Sequence, residues 1–300
     1  HCLQLNITFK IMKKALLNIL VVALTVFCSC EEKKTASDPE ASKPSEGVLS
    51  VMSFNVRYLI GDTGTNSWEN RKIGIFEMLE DKKPMVMGVQ EAYVSQVNDI
   101  LEALPEYKAY AIARDGASSK NETCGVFYLK DSIALKNVGN FWLSETPSKT
   151  SMGWDAACTR ICTWALFRIK TSGQMFYHFN THLDHVGTVA RYEGLRLIWS
   201  KIEEINKEGY PVFITGDFNT GPEDAIFEGS PYASARDDAP VTDNEKTYNA
   251  WGKSSQAKLI DFIFYKGMTP QTFETVTEGY AGVEYISDHY PIISTFGYQY

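Results

Sequence analysis

Apolar residues recur along this chain in runs of strand length, and many of the runs meet polar residues at one end. "LSVMSFNVRY" (49–58), "PMVMGVQEA" (84–92), "MFYHFNTHLDH" (175–185), "PVFITGDFN" (211–219) and "YPIISTFGY" (290–298) read as strands, and "KLIDFIFYK" (258–266) reads as a strand with an aspartate inside it. "YKAYAIA" (107–113), "CGVFYLK" (124–130), "NFWLS" (140–144) and "RICTWALFRIK" (160–170) read as strands without acidic ends. A second period, 3.6, marks helices. In "VARYEGLRLIWSKIEEINKE" (189–208) it places Val189, Tyr192, Leu195, Ile198, Ile202 and Ile205 on one face. "SWENRKIGIFEMLEDKKP" (67–84) and "SQVNDILEALP" (95–105) predict shorter helices, each closed near a proline. There are too many strands for one sheet with a helix in every crossover, and the helix-free stretch 107–170 predicts antiparallel hairpins. The expected fold is α+β, with two mixed β-sheets packed face to face and helices on the outside.

The first 47 residues carry no such pattern. "MKKALLNILVVALTVFCSC" (12–30) has two lysines, an apolar stretch and a small residue before Cys30, the layout of a signal peptide. The stretch from Ala15 to Cys28 is shorter than the roughly 20 residues that a membrane span needs. The segment also resembles a bacterial lipoprotein signal with Cys30 as the lipidated residue, although Phe27 and Cys28 depart from the usual pattern. "EEKKTASDPEASKPSEG" (31–47) is charged, with no large apolar residue, and reads as a flexible tether. The expected division is residues 1–29 as N-terminal extension and signal peptide, 30–47 as tether and 48–300 as the folded domain. The expected location is across the inner membrane, in the cell envelope, held to a membrane by lipid alone.

The formal charge of the chain is −8, and cleavage before Cys30 removes Lys10, Lys13 and Lys14 to leave −11. Such a balance does not favour tight binding to a nucleic-acid backbone. Of the cysteines, Cys124, Cys158 and Cys162 fall in the folded part, with no CxxC or His-rich spacing for zinc. If residues 158–162 are extended, their ends lie about 13 Å apart, too far to bridge. Buried thiols, or a disulfide from Cys124 to one of the others, remain the two readings.

The polar residues at the strand ends are Asn55, Glu91, His182 with Asp184 and His185, Asp217 with Asn219, Asp261, and Asp288 with His289. For "GDFN" (216–219) a simple turn accounts for Asp and Asn where a strand stops. The alternative is a site, because residues two apart on a strand share a face. Asp261 inside "LIDFIFY" is costly unless paired or metal-bound. Several carboxylates and carboxamides brought together need a hard cation, Mg²⁺ or Mn²⁺. A histidine oriented by an aspartate beside such a cation suits phosphoryl chemistry.

In their order along the chain, "SFNVRY", "GVQEA", "NTHLDH", "TGDFNTGPED", "LIDFIFY" and "SDHYP" resemble the endonuclease/exonuclease/phosphatase superfamily, also called deoxyribonuclease-I-like. The resemblance spans residues 49–298, and the uncharacterised secreted lipoproteins of bacteria are its expected branch. It implies a four-layer sandwich. It also implies Glu91 as main metal ligand with Asn55 beside it and Asp288 as a further carboxylate at the metal. Asp217 would activate water, Asn219 and His182 would contact the phosphate, and His289, oriented by Asp261, would stabilise its charge. Arg57 and Arg160 are candidate phosphate contacts.

Other residues have two readings each. Trp154, in "SKTSMGWDAACTR" (148–160), either stacks on a substrate ring at the rim or plugs the core, and Tyr248 and Trp251 stand the same way. Asp184 and His185 either shape the pocket or solvate a loop, and Arg191 either contacts substrate or lies on the surface. His178 reads as a core histidine. The expected activity is metal-dependent hydrolysis of a phosphodiester or of a small phosphorylated sugar or nucleotide by a monomer. The alternatives are a secreted nuclease, a sphingomyelinase-like phosphodiesterase, and a non-catalytic binding module on the same fold. A degenerate binder should have lost Glu91, Asp217 or His289, and none is lost.

Overall fold

The computed structural model describes residues 46–116 and 121–299. The expected signal peptide, the candidate lipidation site Cys30 and the tether up to residue 45 lie outside the described residues. Strands β1 (Glu46–Asn55), β2 (Val86–Tyr93), β3 (Tyr107–Ala113), β4 (Glu122–Leu129), β11 (Thr269–Thr275) and β12 (Ile292–Gln299) form one sheet in the order β11-β12-β1-β2-β4-β3. Strands β5 (Ile133–Trp142), β6 (Ile161–Ile169), β7 (Met175–His182), β8 (Val212–Asp217), β9 (Ala233–Ser234) and β10 (Asp261–Lys266) form the other in the order β5-β6-β7-β8-β10-β9. Each sheet is mixed. One parallel pair, β1 with β2 or β7 with β8, lies at its centre among antiparallel neighbours. Helix α1 (Trp68–Lys82) links the first parallel pair and α3 (Thr188–Ile205) the second, as parallel strands require a crossover. Helix α2 (Val94–Ala103) follows β2, and α4 (Ala235–Asp238) is a single turn.

Alternation along the strands builds three apolar layers. On β1, Met52 and Phe54 face α1 and α2, while Leu49 and Val51 face the other sheet. On β8, Phe213 faces the first sheet and Val212 and Ile214 pack under α3. Helix, sheet, sheet and helix therefore stack as the expected four layers.

The inter-sheet faces change character along their length. At one end they bring together Leu49, Val51, Phe176, Phe213 and Ile263. Continuing in steps of two on the same faces come Ser53, Gly88, Gln90, His178, Asn180 and Thr215, all but the glycine polar and all buried. These side chains bond to one another, although Gln90 Oε1 and His178 Nδ1 find no partner. Gln90 Nε2 donates to Asn180 Oδ1 (2.7 Å), Asn180 Nδ2 donates to the carbonyls of Val89 and Gly125, and Thr215 Oγ1 donates to Asn180 Oδ1 (3.1 Å). His178 Nε2 meets Thr215 Oγ1 at 2.8 Å, so this histidine is a core residue as expected.

Four readings change. Helix α3 begins as predicted, but Val189 and Tyr192 are exposed, because Ala190 and Gly194 take the inner face of its first turns. Strand β11 was not read from sequence. Its residues, "TPQTFET", contain one large apolar side chain and a proline, which an edge strand tolerates. Strand β1 begins at Glu46, two residues before the expected domain start at Val48, and pairs there with Gln299. Cys124, Cys158 and Cys162 are free thiols, so the disulfide reading fails.

At Gly88 the side chains of the opposite sheet come close to the backbone. A Cβ there would lie 2.0 Å from Thr215 Oγ1 and 2.4 Å from Asn180 Oδ1. Gly88→Ala is expected to destabilise the protein by about 1–3 kcal/mol, the usual cost of overpacking. Urea denaturation would read this as a lower midpoint at unchanged slope.

Candidate active site

Strand direction gathers the functional side chains. β1, β2, β7 and β8 end at the same edge of the sandwich, where Asn55 Nδ2 of β1 donates to Glu91 Oε1 (3.0 Å) and, across the gap, to Asp217 Oδ2 (3.1 Å). β10 runs antiparallel to β8, so its first residue, Asp261, pairs opposite Asp217. The segment leading into β12 delivers Asp288 and His289, and Ser287 Oγ ties it to the Asn55 carbonyl (2.7 Å). Ligand sites commonly lie at the carboxyl ends of parallel strands.

Local backbone distortions aim three of these residues. Between Gln90 and Tyr93 the register of β2 against β4 shifts, a bulge that sets Glu91 at φ +65°. Tyr58 N donates to Glu91 Oε2 (3.0 Å). Arg57 and Asn219 also sit at positive φ, +61° and +53°. Asn219 lies beyond the end of β8, so the pleat is not what carries it to the site. Its N–H donates to Asp217 Oδ1 (2.9 Å), a side-chain-closed turn that swings the carboxamide inward. There Asn219 Nδ2 donates to His182 Nε2 and to the Leu183 carbonyl, both at 3.0 Å. The turn reading of "GDFN" holds, and the same turn brings Asn219 beside His182 and Asp217.

Charge in this cluster is unevenly matched. His289 Nδ1 lies 2.9 Å from Asp261 Oδ2 and its Nε2 lies 3.7 Å from Asp217 Oδ2. Burial works against the imidazolium, but Asp261 and Asp217 outweigh it and raise the pKa to about 10. Asp217 is pushed up to about 7, by burial first and then by the neighbouring Asp261 carboxylate. Asp288 is also raised by burial, against the pull of His289. His182 is held well below its usual range by burial and the nearby charge of Arg160. It is therefore neutral, and its 3.4 Å approach to Asp217 is not an ion pair.

Two groups of side chains could hold a metal ion here: Glu91, His182 and Asp217, and Asp217, Asp261 and His289. The second contains the imidazolium, which offers no lone pair, so the first is the better nest. Asn55 presents its amide nitrogen to both carboxylates and its Oδ1 to Arg57 N (3.0 Å). In this arrangement its amide nitrogen spaces the acids, and its oxygen would reach a cation on a flip of the amide. Asp288 belongs to neither group, being paired with Arg57 Nη1 at 3.4 Å.

The cluster floors a cleft of about 530 Å³. Arg57, Arg160 and Tyr248 line it as expected, together with Glu91, His182, Asp217, Asn219, Asp288 and His289. Tyr248 sets its ring edge-on to His289, 5.0 Å between centroids. Asp184 and Trp154 do not line it, which corrects their reading as substrate contacts. Asp184 is 1% exposed. It accepts from the N–H groups of Ala157, Val186 and Gly187 and from Arg160 Nε. Burial opposes its charge, but those N–H groups outweigh it and hold the carboxyl well below the usual range. Its work is to fix Arg160. Trp154 belongs to a loop whose next residue, Asp155, accepts from Ala190 N (2.7 Å) and Val189 N (3.3 Å) and so caps α3. Trp251 lies over the buried Arg71, which is likewise a structural position. Arg191 donates to the Asp184 carbonyl (2.9 Å). His185, ambiguous in sequence, lines the cleft, as do Arg114, Glu122 and Lys258, which no motif marked. Arg114 and Glu122 flank the β3–β4 connection, so pairing runs 107–113 and 124–130 as a hairpin would have set them side by side.

The match to known families agrees with this geometry. The model of the Endonuclease/Exonuclease/phosphatase family matches residues 52–289. The chain belongs to this family. An endonuclease/exonuclease/phosphatase from Bacteroides vulgatus is 32% identical, with TM-score 0.77 over 83% of this chain and 98% of its own. A mannosyl-6-phosphatase of Bacteroides thetaiotaomicron is 29% identical, with TM-score 0.74 over 82% and 98%. An uncharacterized protein of Acanthamoeba polyphaga mimivirus is 24% identical over 76% of this chain and 92% of its own. Family members are hydrolases of phosphoester bonds.

The pairing of His289 with Asp261 makes stability depend on pH. With the folded pKa raised to about 10, the stabilisation from the imidazolium is complete below the ordinary histidine range, near 6.5, and is lost as pH rises toward 10. Asp261→Asn should therefore lower the melting temperature more at pH 6 than at pH 10. It should also bring the His289 titration down from about 10, as read by NMR of the imidazole.

Proposed function

We propose that the protein is a divalent-cation-dependent phosphoesterase that hydrolyses small phosphorylated substrates, sugar phosphates foremost, by attack of water. The observation that carries this reading is the convergence of Glu91, Asp217, His182 and a charged His289 on the floor of one polar cleft. A cleft of about 530 Å³ suits a small molecule. The likeness to a mannosyl-6-phosphatase supports a sugar monoester as the first substrate to test.

Glu91 and Asp217 would hold the cation, Mg²⁺ or Mn²⁺, with His182 joining them once its Nε2 gives up the bond from Asn219, and the donor chemistry fits. Two of the three ligands are carboxylates, as a hard cation prefers, and Asp217, raised to about 7, lacks sufficient positive charge around it. When bound, such an ion neutralises phosphate charge and lowers the pKa of water. Asp217, whose Oδ2 lies 3.7 Å from His289 Nε2, is placed to orient the attacking water and take its proton. His289 presents Nε2 as a donor to charge that develops on the phosphoryl oxygens, and Asp261 holds the ring by Nδ1. Asn219 uses both hydrogens of its amide on His182 and Leu183, which fixes the imidazole.

The test is hydrolysis of p-nitrophenyl phosphate, bis-p-nitrophenyl phosphate and mannose 6-phosphate, with Mg²⁺ and then with EDTA. Activity should require the metal, and Mg²⁺ or Mn²⁺ should raise the melting temperature. Glu91→Gln removes a charge that attracts the cation, so excess metal should recover part of its loss. His289→Ala should lose about 10²–10³ in turnover, with no recovery at any metal concentration. Rescue of His289→Ala but not of Glu91→Gln would reverse the assigned roles.

We also propose that Cys30 carries the lipid that holds the domain to a membrane, a reading supported by the signal-like pattern of residues 12–30. Full-length protein should partition into the detergent phase and Cys30→Ser should not. A wild-type protein that stays entirely aqueous would refute the anchor.

A further inference from the structure

Two charged side chains that line the cleft take no part in the hydrolysis derived above. Arg114 and Glu122 face each other across the mouth of the β3–β4 hairpin, where Arg114 N donates to the Glu122 carbonyl at 3.0 Å. Arg114 Nη2 donates to Glu122 Oε1 at 2.7 Å, and Arg114 Nε donates to Asn121 Oδ1 at 3.2 Å. The pair is held by backbone and side chain alike, yet it is incompletely used. Among the described residues, Arg114 Nη1 and Glu122 Oε2 have no hydrogen-bond partner, and neither atom is among the fully buried ones. Both side chains retain some exposure, 18% and 14%, and both open onto the cleft.

This donor and acceptor stand on one rigid ion pair beside the catalytic cluster. An anion drawn to Arg114 would meet the carboxylate of Glu122, so a second phosphate fits poorly. A hydroxyl is both donor and acceptor, and two adjacent hydroxyls match a donor and an acceptor set side by side. Arg160 adds to the polarity of this wall. It is 4% exposed and its buried Nη1 has no partner. With Arg114, Glu122 and His182 it lines a small recess of about 10 Å³, close to the size of one water.

We propose that Arg114 and Glu122 form a hydroxyl-reading subsite for the sugar of a phosphorylated substrate, Arg114 Nη1 donating to one hydroxyl oxygen and Glu122 Oε2 accepting from its neighbour. The proposal rests on the phosphoesterase reading above and names what that site selects. The subsite works by discrimination, since a substrate without the hydroxyls leaves Arg114 Nη1 and Glu122 Oε2 without a partner from the ligand in a half-buried place.

The experiment compares kcat/KM, with Mg²⁺ present, for aldohexose 6-phosphates, for their 2-deoxy, 3-deoxy and 4-deoxy counterparts, and for p-nitrophenyl phosphate. Wild type should prefer a hydroxylated sugar over the counterpart lacking one of two adjacent hydroxyls by roughly 10- to 100-fold. Glu122→Gln and Arg114→Met should collapse that preference, losing more on the hydroxylated sugar than on the deoxy sugar or on p-nitrophenyl phosphate. The deoxy series on wild type requires no variant to fold, and circular dichroism checks the variants that are made. Equal loss on every substrate would mean that the pair only holds the hairpin, and would overturn the subsite. So would a wild type that hydrolyses p-nitrophenyl phosphate but shows no preference for any sugar hydroxyl. Failure to hydrolyse any ester would remove the phosphoesterase reading itself, and the subsite with it.

Discussion

Two sheets stay face to face only if the polar groups trapped between them find partners, and Asn180 meets that requirement here. Its amide nitrogen serves the carbonyls of Val89 and Gly125 in the opposite sheet, and its oxygen accepts from Gln90 and Thr215. All of these groups are out of contact with water, where an unpaired one costs about 1–3 kcal/mol. The bonds have direction, so they fix how the sheets are set against each other, which apolar packing alone does loosely. Gly88 permits it, because any side chain there would occupy the space of Thr215 and Asn180.

That registration is what makes the site. One step beyond Asn180 on the same face comes His182, and one step beyond Thr215 comes Asp217. Ser53 leads in the same way to Asn55. The 3.1 Å bond from Asn55 to Asp217 joins the two sheets at their rim. Burial at this rim is expensive for charge. The protein answers with His289 kept charged between Asp261 and Asp217, while Asp217 and Asp288 remain raised. Strain gathers at the same place. Arg57, Glu91 and Asn219 adopt positive φ without being glycine, at the ends of β1, β2 and β8.

How much of this was legible in the sequence follows from what each residue interacts with. Strand-end residues such as Asp217 and Asp261 stood out because an acid against an apolar run is costly and needs a reason. The layers were legible because alternation and the period of 3.6 report burial directly. Residues whose role depends on a neighbour far away in the chain were not. Asp184 looked like a pocket residue beside His182, yet its oxygens are taken by the backbone of residues 157, 186 and 187. Trp154 looked like a rim aromatic, whereas its loop serves to cap α3 through Asp155. Arg114 and Glu122 carried no motif, since only hairpin pairing brings them together. The place of Asn55 beside Glu91 was legible from the resemblance, but which end of its amide faces the carboxylates is decided by the hydrogen bonds around it.

The same pairing explains how an acidic chain can take an anionic substrate. The formal charge of the chain is −8, a balance that does not favour a polyanion. The three arginines that line the cleft are each anchored to a carboxylate: Arg57 to Asp62, Arg114 to Glu122 and Arg160 to Asp184. Anchoring holds the guanidinium groups in place without chain entropy to be lost when a ligand arrives. Asp184 is shut away from the cleft, while Arg160 faces it, so that pair presents its positive member to a ligand. With the charged His289, Arg160 makes the floor of the cleft locally attractive to a phosphate. A short substrate whose single phosphate reaches the floor gains the local field, while a long polyanion must also lie along the negative exterior. On the proposed function, selection for small phosphate esters would arise from where the charges are fixed, before any contact to the sugar is made.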